Sequence, residues 1–302
     1  MARTTAHQMF EGVRADAKVE LQRSSLGLAF SGLSAGLNIS FSFVAIAAVM
    51  RATGSTEPGL LGAVVYPIGF IIIVLARAQL FSENTLTPVL LVLDHPSRYN
   101  TANTARLWVV VLTFNLLGAW FFALVLAHIP SPDVVPHVGR EWLDAAARAS
   151  FQGSWTSILV RGVFGGWLVA LMAWMVHSGE GAVSEVIVVW IAAFLISAAG
   201  FAHSVAGATE VLYLAGRGII GYGDWFWRFQ VPVTLGNAIG GVVFVSLVNY
   251  AQVRGSGEDV EVAKRIEHER AVQQAKQEAA ATSDARRELR EDGTEGRSRP
   301  RS

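Results

Sequence analysis

The stretch at residues 200–204 reads Gly200-Phe201-Ala202-His203-Ser204, and it interrupts an apolar segment that runs from Val186 to Gly216. A similar interruption, Leu80-Phe81-Ser82-Glu83-Asn84, lies in the apolar segment from Gly59 to Leu93. Irregular backbone at membrane depth is tolerated only where it is buried in protein or lines a cavity, because lipid cannot satisfy its N–H and C=O groups. Two interruptions therefore predict a membrane protein with two broken helices around a central pathway.

The distribution of charge supports a membrane protein. The chain has 302 residues, of which 52% are hydrophobic, and only 19 of its 48 charged residues lie between Leu26 and Val253. A spanning helix needs about 20 apolar residues, and this central block divides into stretches of roughly that length: Leu26–Met50, Gly59–Leu93, Leu107–Ala127, Trp155–Val176, Val186–Gly216 and Phe229–Tyr250. We therefore expect an all-α integral membrane fold with six transmembrane helices, of which the second and fifth are broken.

The flanking segments predict the domain organisation. Residues 1–25 are polar, but Phe10, Val13, Ala17 and Leu21 recur at helical spacing, which predicts an N-terminal amphipathic helix on the membrane surface or on a neighbouring subunit. Residues 26–253 form the six-helix pore domain, and the charged tail 254–302 is expected to be partly helical or disordered. Lys and Arg are more frequent on the side of the termini, which places both termini in the cytoplasm.

Several classes of function are excluded or disfavoured by composition. The net charge of zero removes the basic surface typical of nucleic-acid binders. The absence of cysteine excludes thiol catalysis and thiolate metal sites, and we predict no metal, no organic cofactor and no catalytic residue.

One short motif nevertheless suggests an enzyme. Gly32-Leu33-Ser34-Ala35-Gly36 matches the G-x-S-x-G pattern of serine hydrolases, and an intramembrane hydrolase could pair Ser34 with His203. That pattern requires a strand-to-helix turn, whereas this run lies in a hydrophobic helix. The second alternative is a water or glycerol facilitator, although the chain lacks the paired Asn-Pro-Ala motifs expected of one.

Three features recur in the same order in the two halves of the central block. Gly32 and Gly36 correspond to Gly162 and Gly166. The interruptions follow, each with a phenylalanine as its second residue, which matches Phe81 with Phe201; Asn115 and Asn237 come last. Three spans per half is an odd number, so this order predicts two inverted three-helix repeats. For the glycine pairs alone we expect only close helix packing.

His203 is the one histidine inside a predicted span, and it lies on the second interruption. An ionisable group at this depth indicates a functional site, and histidine is suited to moving a proton. Thr87-Pro88 and Ser204 are predicted to cap the helices that restart after the interruptions. The positive ends of those helices would face the middle of the bilayer and favour an anion.

These motifs together resemble the formate/nitrite transporter family, over about Leu26 to Val253. The resemblance rests on the following runs: Tyr66-Pro67-Ile68-Gly69-Phe70, Gln79-Leu80-Phe81-Ser82, Arg161-Gly162 through Trp174, Gly200-Phe201-Ala202-His203-Ser204-Val205-Ala206 and Pro232-Val233-Thr234-Leu235-Gly236-Asn237-Ala238-Ile239-Gly240-Gly241. It implies an aquaporin-like protomer, a homopentamer with one pore per subunit, and transport of small monovalent anions such as formate, nitrite or hydrosulfide, often with a proton.

The resemblance also implies site residues. His203 matches the central pore histidine of the family, and Ser82 falls where a pore threonine is usual. Apolar constrictions on either side are expected from Tyr66, Phe70, Phe81 and Ile196. We also place three motif residues among the pore or substrate contacts: Asn115, Thr234 and Asn237.

The chain departs from the family pattern in its polar residues. It has Gly166, Ala202 and Gly207 where the family commonly has polar side chains, and a vestibule lysine of some members corresponds to about Ser150, with Arg148 near. In return the interruptions carry three charged residues that the family pattern does not predict: Arg77, Glu83 and Glu210. Because an unpaired charge in a span is costly, we predict a salt bridge from Arg77 to Glu83 or Glu210; the alternative is that Arg77 reaches the interface.

The function expected from the sequence is a pore in a bacterial inner membrane that passes a small monovalent anion with its proton. Arg77 or Arg148 would concentrate the anion, and His203 would supply a proton or a hydrogen bond. The neutral acid would then cross the constrictions, since moving a bare charge through apolar walls costs far more.

Overall fold

The computed structural model describes residues 4–129, 131–179, 181–255, 264–273 and 276, and every regular element in this part of the chain is helical. Its longest apolar helical segments have the length and composition needed to cross a membrane: Ser25–Thr53, Arg98–His128, Trp155–Ser178 and Tyr222–Gly255. Two further apolar helices are shorter, Gly59–Leu75 and Ala182–Ala198. The expectation of an all-helical membrane protein is confirmed.

The N-terminal helix α1 spans Ala6–Gln22 and begins with a capping box, in which Thr5 and Gln8 exchange side-chain and backbone hydrogen bonds. Its predicted apolar face exists, but the prediction of where that face packs is wrong. Phe10 and Val13 are buried in a cluster with Trp174 and Val253, near the ends of later helices of the same chain. The face is therefore covered by this chain rather than by lipid or a neighbouring subunit.

The first half of the central block contains these helices: α2 (Ser25–Ile39), α3 (Phe41–Thr53), α4 (Gly59–Val65), α5 (Pro67–Leu75), α6 (Thr87–Asp94) and α7 (Arg98–His128). Pro67 separates α4 from α5, because proline cannot donate the helical N–H bond. Ser42 on α3 donates to the carbonyl of Tyr66 at this junction, with an O···O distance of 2.6 Å.

The second half contains the remaining helices: α8 (Ser131–Val134), α9 (Arg140–Ser150), α10 (Trp155–Met175), α11 (Ala182–Ala198), α12 (Ala206–Gly216), α13 (Tyr222–Asp224), α14 (Val231–Ile239) and α15 (Val248–Gly255). Two π-helical turns, Trp225–Gln230 and Gly240–Leu247, flank α14. The tail belongs to a separate unit that begins at Arg254; residues 264–273 are helical, and most of the predicted tail lies outside the described residues.

Glycines let two helix pairs approach closely, α2 with α7 and α10 with α14. A Cβ atom on Gly36 would collide with the backbone of Asn115, and one on Gly166 would collide with the backbone of Asn237. The close packing predicted for the glycine pairs is confirmed. The contacts are equivalent in the two pairs, although the residues come from different halves of the chain.

Helices α5 and α11 end in the same way. The N–H of Ala78 bonds to the carbonyl of Ile73 at 3.1 Å, and that of Phe201 bonds to the carbonyl of Ile196 at 2.8 Å. The residues that turn the chain are Arg77, with φ of +54°, and Gly200, with φ of +67°. Both are Schellman-type helix ends, in which the left-handed turn residue is normally glycine. The chain then runs without α-helix to α6 and to α12, respectively.

The close packing at Gly166 generates a stability prediction. Replacing Gly166 with Ala should lower the melting temperature of the detergent-purified protein by about 2–5 °C, because overpacking costs about 1–3 kcal/mol. Tryptophan fluorescence during heating measures this change. Gly223→Ala is the matched control, since no atom lies within 4 Å of its added Cβ; equal melting temperatures for the two variants would contradict the packing described here.

Candidate functional site

Two fully buried asparagines hold the interrupted segments in place. The side chain of Asn115 accepts a hydrogen bond from the N–H of Phe81 at 2.9 Å and donates to the carbonyls of Gly32 at 2.8 Å and Gln79 at 2.9 Å. It thereby satisfies backbone groups that the broken helix leaves without partners.

Asn237 makes the same three bonds in the second half. Its side chain accepts from the N–H of Ser204 at 2.9 Å and donates to the carbonyls of Gly162 at 2.8 Å and Ala202 at 3.1 Å. The sequence indicated both asparagines, but as pore or substrate contacts. The structure gives their side chains backbone partners instead, so their part in the site is to position the two interrupted segments.

These bonds correct the correspondence between the two interruptions. By its hydrogen bond, Phe81 is equivalent to Ser204, because each donates its N–H to the asparagine oxygen. Matching Phe81 with Phe201 is therefore wrong by three residues. The position equivalent to His203 is Leu80, so the ionisable group has no counterpart in the first half.

His203 and Ser82 connect the two interrupted segments. His203 is 2% exposed and Ser82 is fully buried, and Nε2 of the imidazole lies 2.6 Å from Oγ of Ser82. The expectation that the two interruptions meet at this histidine agrees with the contact.

The other ring nitrogen of His203 has a structural partner. Nδ1 accepts the N–H groups of Val205 at 3.3 Å and Ala206 at 3.1 Å, so the histidine caps α12. The predicted cap Ser204 therefore does not cap α12. Thr87 does not cap α6 either, because it is the first residue of that helix and Leu86 occupies the cap position. Because Nδ1 must present its lone pair to these donors, the hydrogen-bond network assigns the proton of the neutral ring to Nε2. His203 is therefore built to donate a hydrogen bond from Nε2.

Apolar side chains surround this pair. The ring of Phe70 lies edge-to-face on His203, with 5.0 Å between centroids, and Tyr66 lies 5.4 Å from Phe70. Ile196 and Leu80 are buried in the same cluster. Phe81 instead packs on Trp108, with centroids 5.7 Å apart, in a different cluster. Among the expected constriction residues, Phe81 is thus the one outside the cluster of Phe70, whereas its neighbour Leu80 belongs to that cluster.

One cavity reaches His203 from the side of α9. This α9-side cavity has a volume of about 110 Å³ and is lined by His203, Tyr66, Ser150, Arg161 and Glu210, among others. Oγ of Ser150 donates to the carboxylate of Glu210, which is 4% exposed.

The cation of the α9-side cavity is Arg161, not Arg148. Arg148 is exposed and lines neither the α9-side cavity nor the cavity on the side of α1, so its predicted role stays a prediction. Arg161 was missed, although it is the lone charge in the apolar stretch that starts at Trp155, and that signal could have indicated it. Its guanidinium donates to the carbonyls of Gly200 at 2.5 Å and Gln152 at 2.9 Å.

A larger cavity of about 480 Å³ opens on the side of α1. Met172 of α10 lines this cavity, whereas Arg161 of the same helix lines the α9-side cavity. A helix rises about 1.5 Å per residue, so the two cavities lie about 16 Å apart along α10. This α1-side cavity is lined by charged side chains from several helices: Asp16, Glu20, Arg23, Arg77, Glu83, His177 and Glu185.

The predicted salt bridge of Arg77 with Glu83 or Glu210 is wrong. Nη2 of Arg77 lies 2.8 Å from Oε1 of Glu185, and the arginine side chain is 70% exposed. Because Arg77 turns the chain at the end of α5, its side chain points out of the interruption. Glu83 keeps a buried Oε1 that has no hydrogen-bond partner in the described part of the chain. On α1, burial raises the pKa of Glu20 to about 7, although a hydrogen bond from Gln79 acts to lower that pKa.

The remaining candidates, Thr234 and Ser34, line neither cavity. Thr234 accepts from Gln230 at 2.8 Å, and Gln230 also donates to the carbonyl of Ser204 at 3.2 Å. Ser34 accepts from Asn38 at 3.2 Å, while both nitrogens of His203 have other partners. The Ser34–His203 pair required by the hydrolase alternative is therefore absent from the described residues.

Comparison with known proteins identifies relatives. The sequence profile described as "Formate/nitrite transporter" matches residues 7–251. The chain is 33% identical to the inner membrane protein YfdC of Escherichia coli (strain K12) over 258 residues, which cover 82% of this chain and 79% of that protein. It is 27% identical to the formate channel FocA of Haemophilus influenzae over 245 residues, which cover 72% and 83% of the two chains.

A solved structure shares the fold. The structure described as a pentameric formate channel with formate bound superposes with a TM-score of 0.60 at 20% identity, covering 75% of this chain and 96% of that one. The family resemblance seen in the sequence is confirmed by these matches.

Proposed function

The chain belongs to the formate/nitrite transporter family, and from that premise we propose that it is a membrane channel for a small monovalent anion of the formate, nitrite or hydrosulfide kind, which crosses with a proton. The observation that carries the proposal is the buried contact between Nε2 of His203 and Oγ of Ser82. It puts a hydrogen-bond donor where the two interruptions meet. Relatives named as formate channels support the substrate class. No enzymatic reaction and no cofactor are proposed.

The proposed architecture is aquaporin-like, with six spans in two inverted three-helix repeats and with the second and fifth spans broken. The equivalent bonds of Asn115 and Asn237 support this repeat. So do the equivalent helix ends at Arg77 and Gly200. Three spans per half give the halves opposite orientations.

The proposed location is a bacterial inner membrane with both termini in the cytoplasm. The proposed domains are the N-terminal helix within 1–25, the pore domain 26–253 and the tail 254–302. The name of YfdC supports the inner membrane. Met9 and Val253 share a buried cluster, so the two ends of this region lie on one side, and the excess of Lys and Arg on that side favours the cytoplasm.

The proposed mechanism follows from the chemistry along the path. In the α9-side cavity Arg161 attracts the anion, which then accepts the Nε2 hydrogen of His203 in place of Ser82. Beyond the histidine, Phe70, Leu80 and Ile196 belong to one apolar cluster. A charge without partners there costs several kcal/mol, whereas the neutral acid of the same anion does not. The anion therefore crosses with a proton.

The first functional prediction is that His203→Phe abolishes anion uptake into proteoliposomes while the protein still assembles. Phenylalanine fills the space but cannot donate a hydrogen bond to the anion. Uptake of radiolabelled formate, corrected for protein-free vesicles, measures the effect. Ser204→Ala is the matched control, because Oγ of Ser204 is buried without a hydrogen-bond partner in the described residues and its loss should leave uptake unchanged. Wild-type uptake in His203→Phe would refute the mechanism.

We also propose that the channel is a homopentamer with a pore in each subunit, as the pentameric formate channel structure suggests. Exposed apolar side chains such as Phe30, Val109 and Phe121 lie on helices that face outward from the protomer, and lipid or neighbouring subunits would cover them. The mass measured by light scattering in mild detergent, after subtraction of the micelle, should equal five chains of 32.5 kDa. A monomer that transports would contradict the assembly but leave the pore intact.

A further inference from the structure

Two carboxyl groups lie on opposite sides of the central histidine, and the proposed mechanism uses neither: Glu210 is buried, and Glu83 is half-buried with one buried oxygen. Glu210 lines the α9-side cavity, and Glu83 lines the α1-side cavity. In the described part of the chain, no cationic nitrogen lies within 4 Å of either carboxylate. A buried carboxylate without a cation is expensive, so each group has reason to carry a proton.

In the described residues Glu210 forms no direct ion pair, and Arg161 acts on it electrostatically from beyond 4 Å. Its hydrogen-bond partner is the neutral hydroxyl of Ser150. The other titratable residues that line the same cavity are Tyr66, Arg161 and His203. Arg161 directs its guanidinium hydrogens to two backbone carbonyls, and one of these belongs to Gly200.

Charged groups on the helices packed against α12 also have other partners. Asp144 pairs with Arg217 at 2.7 Å and accepts from Tyr213. Arg51 donates to the carbonyl of His137, and Arg228 lies over the ring of Phe151 and near Asp224. On α9, Arg140 and Glu141 lie at its first turn, ahead of Ser150, and Arg148 is exposed.

Glu83 is in a comparable position on the other side. Its Oε1 is buried without a partner in the described residues. The charged groups that share its cavity are Asp16, Glu20 and Arg23 from α1, Arg77 and Glu185, which pair with each other, and His177, which lies 3.0 Å from Asp16.

His203 cannot readily be the proton donor. The hydrogen on Nε2 is the only one bound to a nitrogen of the neutral ring, and its loss would leave an imidazolate anion. Adding a second proton at Nδ1 would displace the N–H groups of Val205 and Ala206 from that nitrogen. The ring is thus held as a hydrogen-bond donor, and the proton that accompanies the anion must come from another group.

We propose that Glu210 and Glu83 are the groups that exchange protons with the transported anion, one in each cavity; this inference rests on the proposed function. In the α9-side cavity, the O–H bond of protonated Glu210 breaks, and the proton forms a new O–H bond on the anion. The neutral acid passes His203 and the apolar cluster. In the α1-side cavity, Glu83 first gives its own proton to water, and its carboxylate then takes the proton of the neutral acid as the anion is released. Water on the α9 side returns a proton to Glu210, so one proton moves with one anion.

The chemistry of the exchange favours weak-acid anions. A proton moves between two groups with the least free-energy cost when their acidities are similar. A carboxyl group matches small carboxylates in this respect and cannot protonate the anion of a strong acid. The substrate class is therefore a small anion whose acid resembles a carboxylic acid in strength.

The test compares two substitutions at Glu210 in full-length protein reconstituted in liposomes. Glu210→Gln keeps the shape and can still accept from Ser150, but it carries no exchangeable acid proton. Glu210→Asp keeps the acid but shortens the side chain. We expect formate uptake, and the internal acidification that accompanies it, to fall at least about tenfold in the Gln variant and to be largely retained in the Asp variant. Glu141→Gln, an exposed carboxylate on α9, should behave as wild type.

Each outcome decides the matter. Two results would overturn the inference while leaving the channel function in place: wild-type uptake in Glu210→Gln, or an Asp variant that is as impaired as the Gln variant. The comparison is decisive because a carboxylate with a merely structural role tolerates the isosteric amide better than the shorter acid. No uptake of any anion by wild type would overturn the proposed function itself. Should Glu210→Gln fail to assemble, the same pair of substitutions at Glu83, with formate loaded on the opposite side, makes the same comparison.

Discussion

The structure depends on how two buried asparagine side chains satisfy the backbone of two broken helices. Water is not available at membrane depth, so each free N–H or C=O group there costs several kcal/mol. Asn115 and Asn237 each supply one acceptor and two donors to the interrupted segment and to a glycine on the facing helix. Because the glycine admits close approach, the asparagine reaches both partners. The interruptions can then present Ser82 and His203 to each other.

The same constraint explains two departures from the family pattern. At Gly166 a side chain would strike the backbone of Asn237, and at Gly207 it would strike the ring of Phe229. A polar residue at these positions would therefore displace an asparagine or an aromatic ring that packs against the second interruption. Gln230 supplies a polar group there instead, through its bond to the carbonyl of Ser204.

Hydropathy and spacing were enough to predict the helical class and the two interruptions and to single out His203, Asn115 and Asn237, because each of these has a local pattern in the sequence. Contacts between residues that are far apart in the sequence have no such local pattern. The pairing of Arg77 with Glu185 depends on how α5 ends, since its left-handed turn directs the side chain outward. The apolar face of α1 was visible, but the sequence did not show what covers it. The three-residue error at Phe81 arose from matching letters, whereas the hydrogen bonds define the true register.

The central claim is that a small anion crosses this protein as its neutral acid. The most direct measurement is uptake into proteoliposomes of formate, nitrite, acetate, lactate and hydrosulfide at two pH values, with internal pH recorded, and with water and glycerol as neutral comparisons. The account predicts uptake of the small weak-acid anions that increases as the external pH falls and that acidifies the interior. Fast glycerol or water flux without anion uptake, or anion uptake that leaves internal pH unchanged, would contradict it.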